Sequence, residues 1–303
     1  MAIQPITPWK LRTRTLELGR RTLVMGVVNI TPDSFSDGGL FLDTNAAVAR
    51  CMKCLDEGAD LLDLGAESTR PGSQTGSSHQ SAVSAAEEQA RLLPVLVGIL
   101  KVRPQAILSV DTYKAETARA ALAAGAEIIN DVSGLFWDSN LSSVCAEAAC
   151  GVILMHTRGR PDEWATQPKL DRDSVLATVQ AGLQESLNKA AAAGIAPESI
   201  VLDPGYGFGK RGDENFALLA RQRDLLTLGR PLLAGLSRKS FLGKALAPIH
   251  QGSPAPVDSR ETASLAAMVA AILNGASIVR VHQVRTAIEA ALIADAIHAQ
   301  STL

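Results

Sequence analysis

Short apolar runs rich in β-branched residues recur along the chain: TLVMGVVNI at 22–30, ADLLDLGA at 59–66, AILSVDT at 106–112, AEIINDVS at 126–133, GVILMH at 151–156, SIVLDPG at 199–205, PLLAGLS at 231–237 and SIVRVH at 277–282. Each has the length and composition of a buried strand. Between them lie amphipathic Ala- and Leu-rich stretches, such as TNAAVARCMKCLDEG at 44–58, KAETARAALAAG at 114–125 and RETASLAAMVAAILNG at 260–275, which end at Gly as helices commonly do. Alternation of this kind predicts parallel strands with helices covering both faces. Eight strand–helix units in 303 residues favour a closed (β/α)8 barrel, a single α/β TIM-barrel domain with its core at about 22–298 behind a short N-terminal extension, 1–21. The alternative is an open doubly wound sheet. That fold would place a GxGxxG turn after an early strand, where this chain reads NITPDSFSDGG.

Composition narrows the partners. With 47% hydrophobic residues the chain can fill a large core, and 29 basic against 31 acidic residues give no general attraction to nucleic acid or an anionic membrane. The N-terminal stretch lacks the apolar core of a signal peptide, and no later run is long and uncharged enough to span a bilayer, so a cytoplasmic protein is expected. Cys51 and Cys54 fall on one face of a helical stretch and read as small buried packing residues; Cys145 and Cys150 form a looser pair without zinc-site spacing.

Polar residues collect at the C-terminal ends of the predicted strands, where barrel enzymes place their sites: Asn29, Glu67 with Ser68 and Thr69, Asp111, Asn130 with Asp131, His156, Asp203, Ser237 with Arg238 and Lys239, and Arg280 with His282. One such residue could merely cap the next helix, but their recurrence at nearly every strand end predicts a working mouth. Asn29 offers an oxygen to a hard cation, and Arg280 and His282 offer donors, a combination suited to a diphosphate with Mg2+. Asp111, Asn130, Asp203 and Lys239 are mostly acceptors with one cation, which suits a planar heterocycle with a 2-amino-4-oxo edge; structural ion pairing of Asp203 with Lys239 is the alternative. TPDSFSDGGLF and ESTRPGSQTGSSHQSAVS, after the first and second strands, read as loops that could close over such a mouth.

The strings MGVVNITPDSFSDGG, DLGAESTRPGS, SVDTYKAETARAALAAGAEIINDVSG, LMHTRGRP, LDPGYGFGK, GLSRKSFLG and VRVH follow one another from about Thr22 to His282, and in that order they resemble the motifs of the dihydropteroate synthases. The resemblance implies a transferase of folate biosynthesis that joins a dihydropterin methyl diphosphate to 4-aminobenzoate and is a target of sulfonamides. It implies Mg2+ held at Asn29, a pterin ring held by Asp111, Asn130, Asp203 and Lys239 between Met155 and Phe208, and a diphosphate anchor of Thr69, Arg280 and His282. It further implies that Phe35, Asp37, Arg70, Pro71 and Ser73 close over the amine, that Ser240 lies beside the amine's carboxylate, and that Asp37, Arg70 and Lys239 take part in catalysis. A homodimer through the last helices is implied as well.

Two departures stand out: RVHQV where the family often reads RVHDV, and a longer segment after STRPG. Two rival functions share the fold: a corrinoid-dependent pterin methyltransferase, which needs no diphosphate site, and a pterin-binding paralogue without catalysis.

Overall fold

The computed structural model describes residues 6–30, 39–67 and 83–300, with side chains from Thr44 onward in its first helix. Eight parallel strands close into a barrel: β3 (Leu23–Asn29), β4 (Leu61–Gly65), β5 (Leu108–Asp111), β6 (Ile128–Asp131), β7 (Gly151–Met155), β8 (Ile200–Asp203), β9 (Leu232–Ala234) and β10 (Ala276–Val281), with β10 returning to pair with β3. These are the eight runs read from the sequence. Helices α1 (Gly39–Asp56), α2 (Ala85–Val102), α3 (Ala115–Ala123), α4 (Leu141–Ala148), α5 (Arg172–Ala192), α6 (Gly212–Ala220), α7 (Ser240–Ala245), α8 (Glu261–Leu273) and α9 (Val284–Gln300) follow the strands in turn.

Alternation along each strand sends one set of side chains into the barrel and the other toward the helices. Val24, Leu62, Val110, Ile129, Leu154, Leu202 and Val279 belong to the outer set and pack in one large apolar layer with Leu92, Val95, Leu96 and Leu183 of the helices. Cys51 and Cys54 lie fully buried in that layer, as the packing reading expects. Leu23, Met25, Leu61, Ile128, Ile153, Val201, Leu233 and Ile278 belong to the inner set and fill the lower barrel.

The N-terminal stretch is more than an extension. Residues Thr7–Lys10 (β1) and Thr15–Leu18 (β2) form an antiparallel hairpin, to which the sequence reading assigned no structure. Its Trp9, Leu11 and Leu18 join the inner cluster and close the bottom of the barrel. Trp9 is 0% exposed, and its indole N–H donates to the Ser199 carbonyl at 2.9 Å, so burying the ring leaves no polar atom unpaired. Among the described residues no helix is long and apolar enough to cross a membrane.

Candidate active site

The inner parity of the strands decides what faces the mouth. Continuing each apolar inner position by two residues leads from Leu61 to Asp63, from Ile128 to Asn130, from Ile153 to Met155, from Val201 to Asp203 and from Ile278 to Arg280, while β5 contributes Ser109 and Asp111. Asp63 lies at the centre of this tier, 0% exposed. It accepts from Ser109 Oγ at 2.7 Å, from Asn130 Nδ2 at 3.0 Å and from Arg280 Nε at 2.6 Å. Arg280 Nη2 donates to Asp111 Oδ2 at 2.8 Å. One guanidinium is thus shared between two carboxylates, a planar and rigid arrangement that a lysine could not reproduce.

Electrostatics follow from this geometry. Burial pushes the Asp111 carboxyl up to about 7; Arg280 opposes the shift and Asp63 adds to it. Burial disfavours the Arg280 cation, but Asp63 and Asp111 outweigh it and hold its pKa above the ordinary value.

A second group is organised by the loop after β8. Burial raises the Asp203 carboxyl, while the backbone N–H of Gly205, donating at 2.7 Å, and the charge of Lys239 oppose the rise. Lys239 stands at the N-cap position of α7, and its ammonium sits 3.9 Å from the centre of the Phe208 ring, a cation–π contact. Burial brings Lys239 down to about 8 against the pull of Asp203. Phe208 is backed edge-on by Trp164, with ring centres 5.2 Å apart. Two glycines leave this tier bare: a Cβ at Gly65 would lie 3.5 Å from Asp111 Cβ, and one at Gly235 would lie 3.7 Å from Asp203 Oδ2 and 4.0 Å from Arg280 Cβ. A flat ligand could use the room they leave.

Of the residues singled out from the sequence, Asp111, Asn130 and Arg280 meet in one hydrogen-bonded network through Asp63, and Lys239 meets Phe208. Met155 ends β7 in register with Asp203, and Asn29 ends β3 in register with Gly65. His282 Nδ1 lies 3.0 Å from Ser237 Oγ. Ser240 is exposed at the first turn of α7. Phe35, Asp37, Thr69, Arg70, Pro71 and Ser73 lie outside the described residues.

Three strand-end residues are not part of this tier. His156 has outer parity and packs on α5, where a Cβ at Gly182 would come 2.5 Å from its ring; burial, then Lys210 and Arg158, hold it well below the usual imidazole pKa, in the neutral form. Asp131 accepts from the backbone N–H groups of Ser133 and Leu135, so it braces its own loop. Glu67 pairs with Lys114, which also reaches Glu88 at 3.2 Å. Asp63, in turn, went unread in the sequence: it stands inside an apolar run, two residues below the strand end. An acid in the middle of LLDLG was the available signal.

Acceptors and cations in one enclosed tier, above a filled barrel, can bind a donor-edged planar ring and can place positive charge beside a leaving anion. Among the described residues no group of three or more His, Cys, Asp or Glu could hold a metal ion. Residues 25–282 match the family described as pterin binding enzyme. The dihydropteroate synthase of Synechocystis sp. is 39% identical over 92% of this chain and 91% of its own length. A mitochondrial folate synthesis bifunctional protein of Pisum sativum is 39% identical over 95% of this chain, which spans only 55% of that longer protein. A solved dihydropteroate synthase of Xanthomonas albilineans with 4-aminobenzoic acid superposes with a TM-score of 0.85 at 39% identity, covering 97% of this chain and 99% of the other. Fold, mouth and sequence agree, and the chain belongs to the pterin-binding enzymes, among the dihydropteroate synthases.

Proposed function

We propose that the barrel mouth condenses (7,8-dihydropterin-6-yl)methyl diphosphate with 4-aminobenzoate, giving 7,8-dihydropteroate and diphosphate. The observation that carries this reading is the inner tier itself: Asp111, Asn130 and Asp203 converge with Lys239 and Arg280 above an apolar barrel floor. The 2-amino and ring N–H donors of the pterin meet the carboxylates and Asn130, while Lys239 donates to ring acceptors. Phe208 and Met155 give the slot its apolar walls.

Arg280 is committed through Nε and Nη2 to Asp63 and Asp111, which fixes its plane. It offers the flat face and the remaining edge of a cation to the substrate, and His282 with Thr69 completes the diphosphate anchor. The bond between the pterin methylene carbon and the diphosphate oxygen breaks, with the electron pair leaving on diphosphate. The neutral aniline nitrogen then forms the new C–N bond and afterwards loses its proton, to water or to a diphosphate oxygen. An aniline is nucleophilic when neutral, so the site's contribution is positioning and electrostatic stabilisation, with no covalent enzyme intermediate. Phe35, Asp37, Arg70, Pro71 and Ser240 surround the amine in this reading, and a sulfonamide would occupy the same space.

Asn29, which ends β3 in register with Gly65 and has the inward parity of Met25, would hold Mg2+ through its neutral side-chain oxygen. Held there, the ion would supply charge neutralisation on the leaving diphosphate. A second copy of the chain would cover the exposed Leu292, Ile293 and Ile297 of α9, and sedimentation of the leucine-to-aspartate variant Leu292→Asp as a monomer would test it.

A diphosphate-release assay tests the function. Release is expected only with the pterin diphosphate, Mg2+ and 4-aminobenzoate together. Tight pterin binding without turnover, or methyl transfer from methyltetrahydrofolate to a corrinoid, would overturn it.

A further inference from the structure

Lys210 is a buried cation that the proposed chemistry does not use. Its ammonium donates to three backbone carbonyls: Gly205 at 2.7 Å, His156 at 3.2 Å and Phe208 at 3.3 Å. Three N–H donors therefore meet three acceptors that come from two different segments, the end of β7 and the loop after β8. The loop has little freedom to begin with. Gly205 has a φ of +69°, and any Cβ there would overlap the His156 carbonyl oxygen. Asp203 holds the Gly205 N–H from one side while Lys210 holds the Gly205 carbonyl from the other.

We propose that Lys210 is a positioning residue for the pterin site: it clasps the loop after β8 onto the end of β7 and so sets the height and tilt of the Phe208 ring beneath Lys239. The carbonyl of the very residue whose ring forms the wall is one of the three it holds. Around the ammonium stand Asp203 on β8, Arg158 on the loop after β7, Glu214 on α6 and Lys239 before α7. Burial brings Lys210 down to about 7 while Asp203 opposes the shift, so one carboxylate of the ring pocket also supports the clasp. Arg158 Nη1, donating to the Gly209 carbonyl at 3.2 Å, fixes the loop's far end, and its backbone N–H reaches the Phe208 carbonyl at 3.5 Å, a longer contact than that of Lys210. Asn215 Oδ1 accepts from the Gly207 N–H at 2.7 Å, and Lys210 is the side chain that joins Gly205, Phe208 and the end of β7 at one atom.

The inference rests on the pterin-binding reading, and two measurements separate them. Hydrogen exchange of the ligand-free protein reads the clasp directly: Lys210→Met, which has no donor, should lose protection in 205–209 while the barrel strands keep theirs. Steady-state kinetics reads its consequence: KM for the pterin substrate should rise about tenfold or more in Lys210→Met, with KM for 4-aminobenzoate unchanged. Lys210→Gln, which keeps two N–H donors, should lie between, and Lys210→Arg, which keeps charge and donors, should recover part of the loss. If Lys210→Met does not fold, the Gln and Arg variants carry the same comparison. Unchanged exchange in 205–209, or both KM values rising together with protection lost throughout the barrel, would overturn the proposal. A wild-type protein that binds no pterin would sink the functional reading, while the exchange of 205–209 would still decide the clasp.

Discussion

The lower and upper halves of the barrel interior are built on the same strands, with the same inward parity, and differ by a single inward step. Ile278 becomes Arg280, Leu61 becomes Asp63, Ile128 becomes Asn130 and Val201 becomes Asp203. Below, the floor residues pack in one apolar cluster and the hairpin seals the end with Trp9. Above, carboxylates and cations lie close together and depend on each other for pairing. The lower half gains free energy by removing apolar surface from water, roughly 1.5–3 kcal/mol for each large side chain. The upper half gains little, because desolvating charges offsets most of what their attraction returns. Its residues serve the ligand, and the rigidity of the floor beneath holds them in place.

The largest effect should come from breaking the upper network at its shared cation. Arg280→Met strands the fully buried Asp63 carboxylate and should cost about 3–5 kcal/mol in urea unfolding, together with pterin binding. The sharper test is Asp63→Leu combined with Arg280→Met. It should regain about 2 kcal/mol or more of that stability while binding stays lost. Recovery of binding would mean that the network is structural. In the floor, Trp9→Ala should also cost about 3–5 kcal/mol of stability, yet leave the pterin KM near its original value, since the indole packs in the apolar floor cluster and bonds to Ser199 just before β8. A large rise in that KM would show the two halves to be coupled.

Next in size is Asp203→Ala, which leaves the pterin's buried donors without an acceptor while the network of Asp63, Asp111 and Arg280 stays whole. Pterin affinity measured by titration should fall on the order of 2–4 kcal/mol. Unchanged affinity would remove Asp203 from the ring pocket.

The strands were legible because a barrel strand is covered on both faces, so it appears as an unbroken apolar run such as TLVMGVVNI or GVILMH. The same property hides the phase. A strand with apolar residues on both sides shows no alternation, so the sequence cannot tell whether Met155 or His156 points inward; the structure turns Met155 in and packs His156 against α5. Asp63 escaped for a related reason, since attention falls on strand ends and its inward phase appears only once Leu61 is seen among the floor residues. The hairpin was unreadable because TPWK and TLEL are four-residue strands of mixed polarity, and only the Trp9 ring inside the barrel gives them a purpose.

The smallest effect is one of pH, and it reads the upper half through the buried carboxyl of Asp111 and the ammonium of Lys239. Burial holds the Asp111 carboxyl at about 7, so the anion that accepts the pterin's donors is lost as pH falls through that value. The pterin kcat/KM should therefore fall about tenfold per pH unit well below 7, and its alkaline limb should come from Lys210, at about 7, and Lys239, at about 8, losing their protons. Stability should move the other way on the acid side. The folded pKa lies above the unfolded value near 3.8, so between the two the native state binds more protons than the unfolded chain, and Asp111's contribution to stability declines as pH rises from 3.8 to about 7. Asp111→Asn should flatten both profiles in that window, measured as kcat/KM and as urea midpoints at pH 5 and 8. An acid limb that survives in Asp111→Asn would have to come from another group of the tier, with Asp203, whose carboxyl burial also raises, the first to replace.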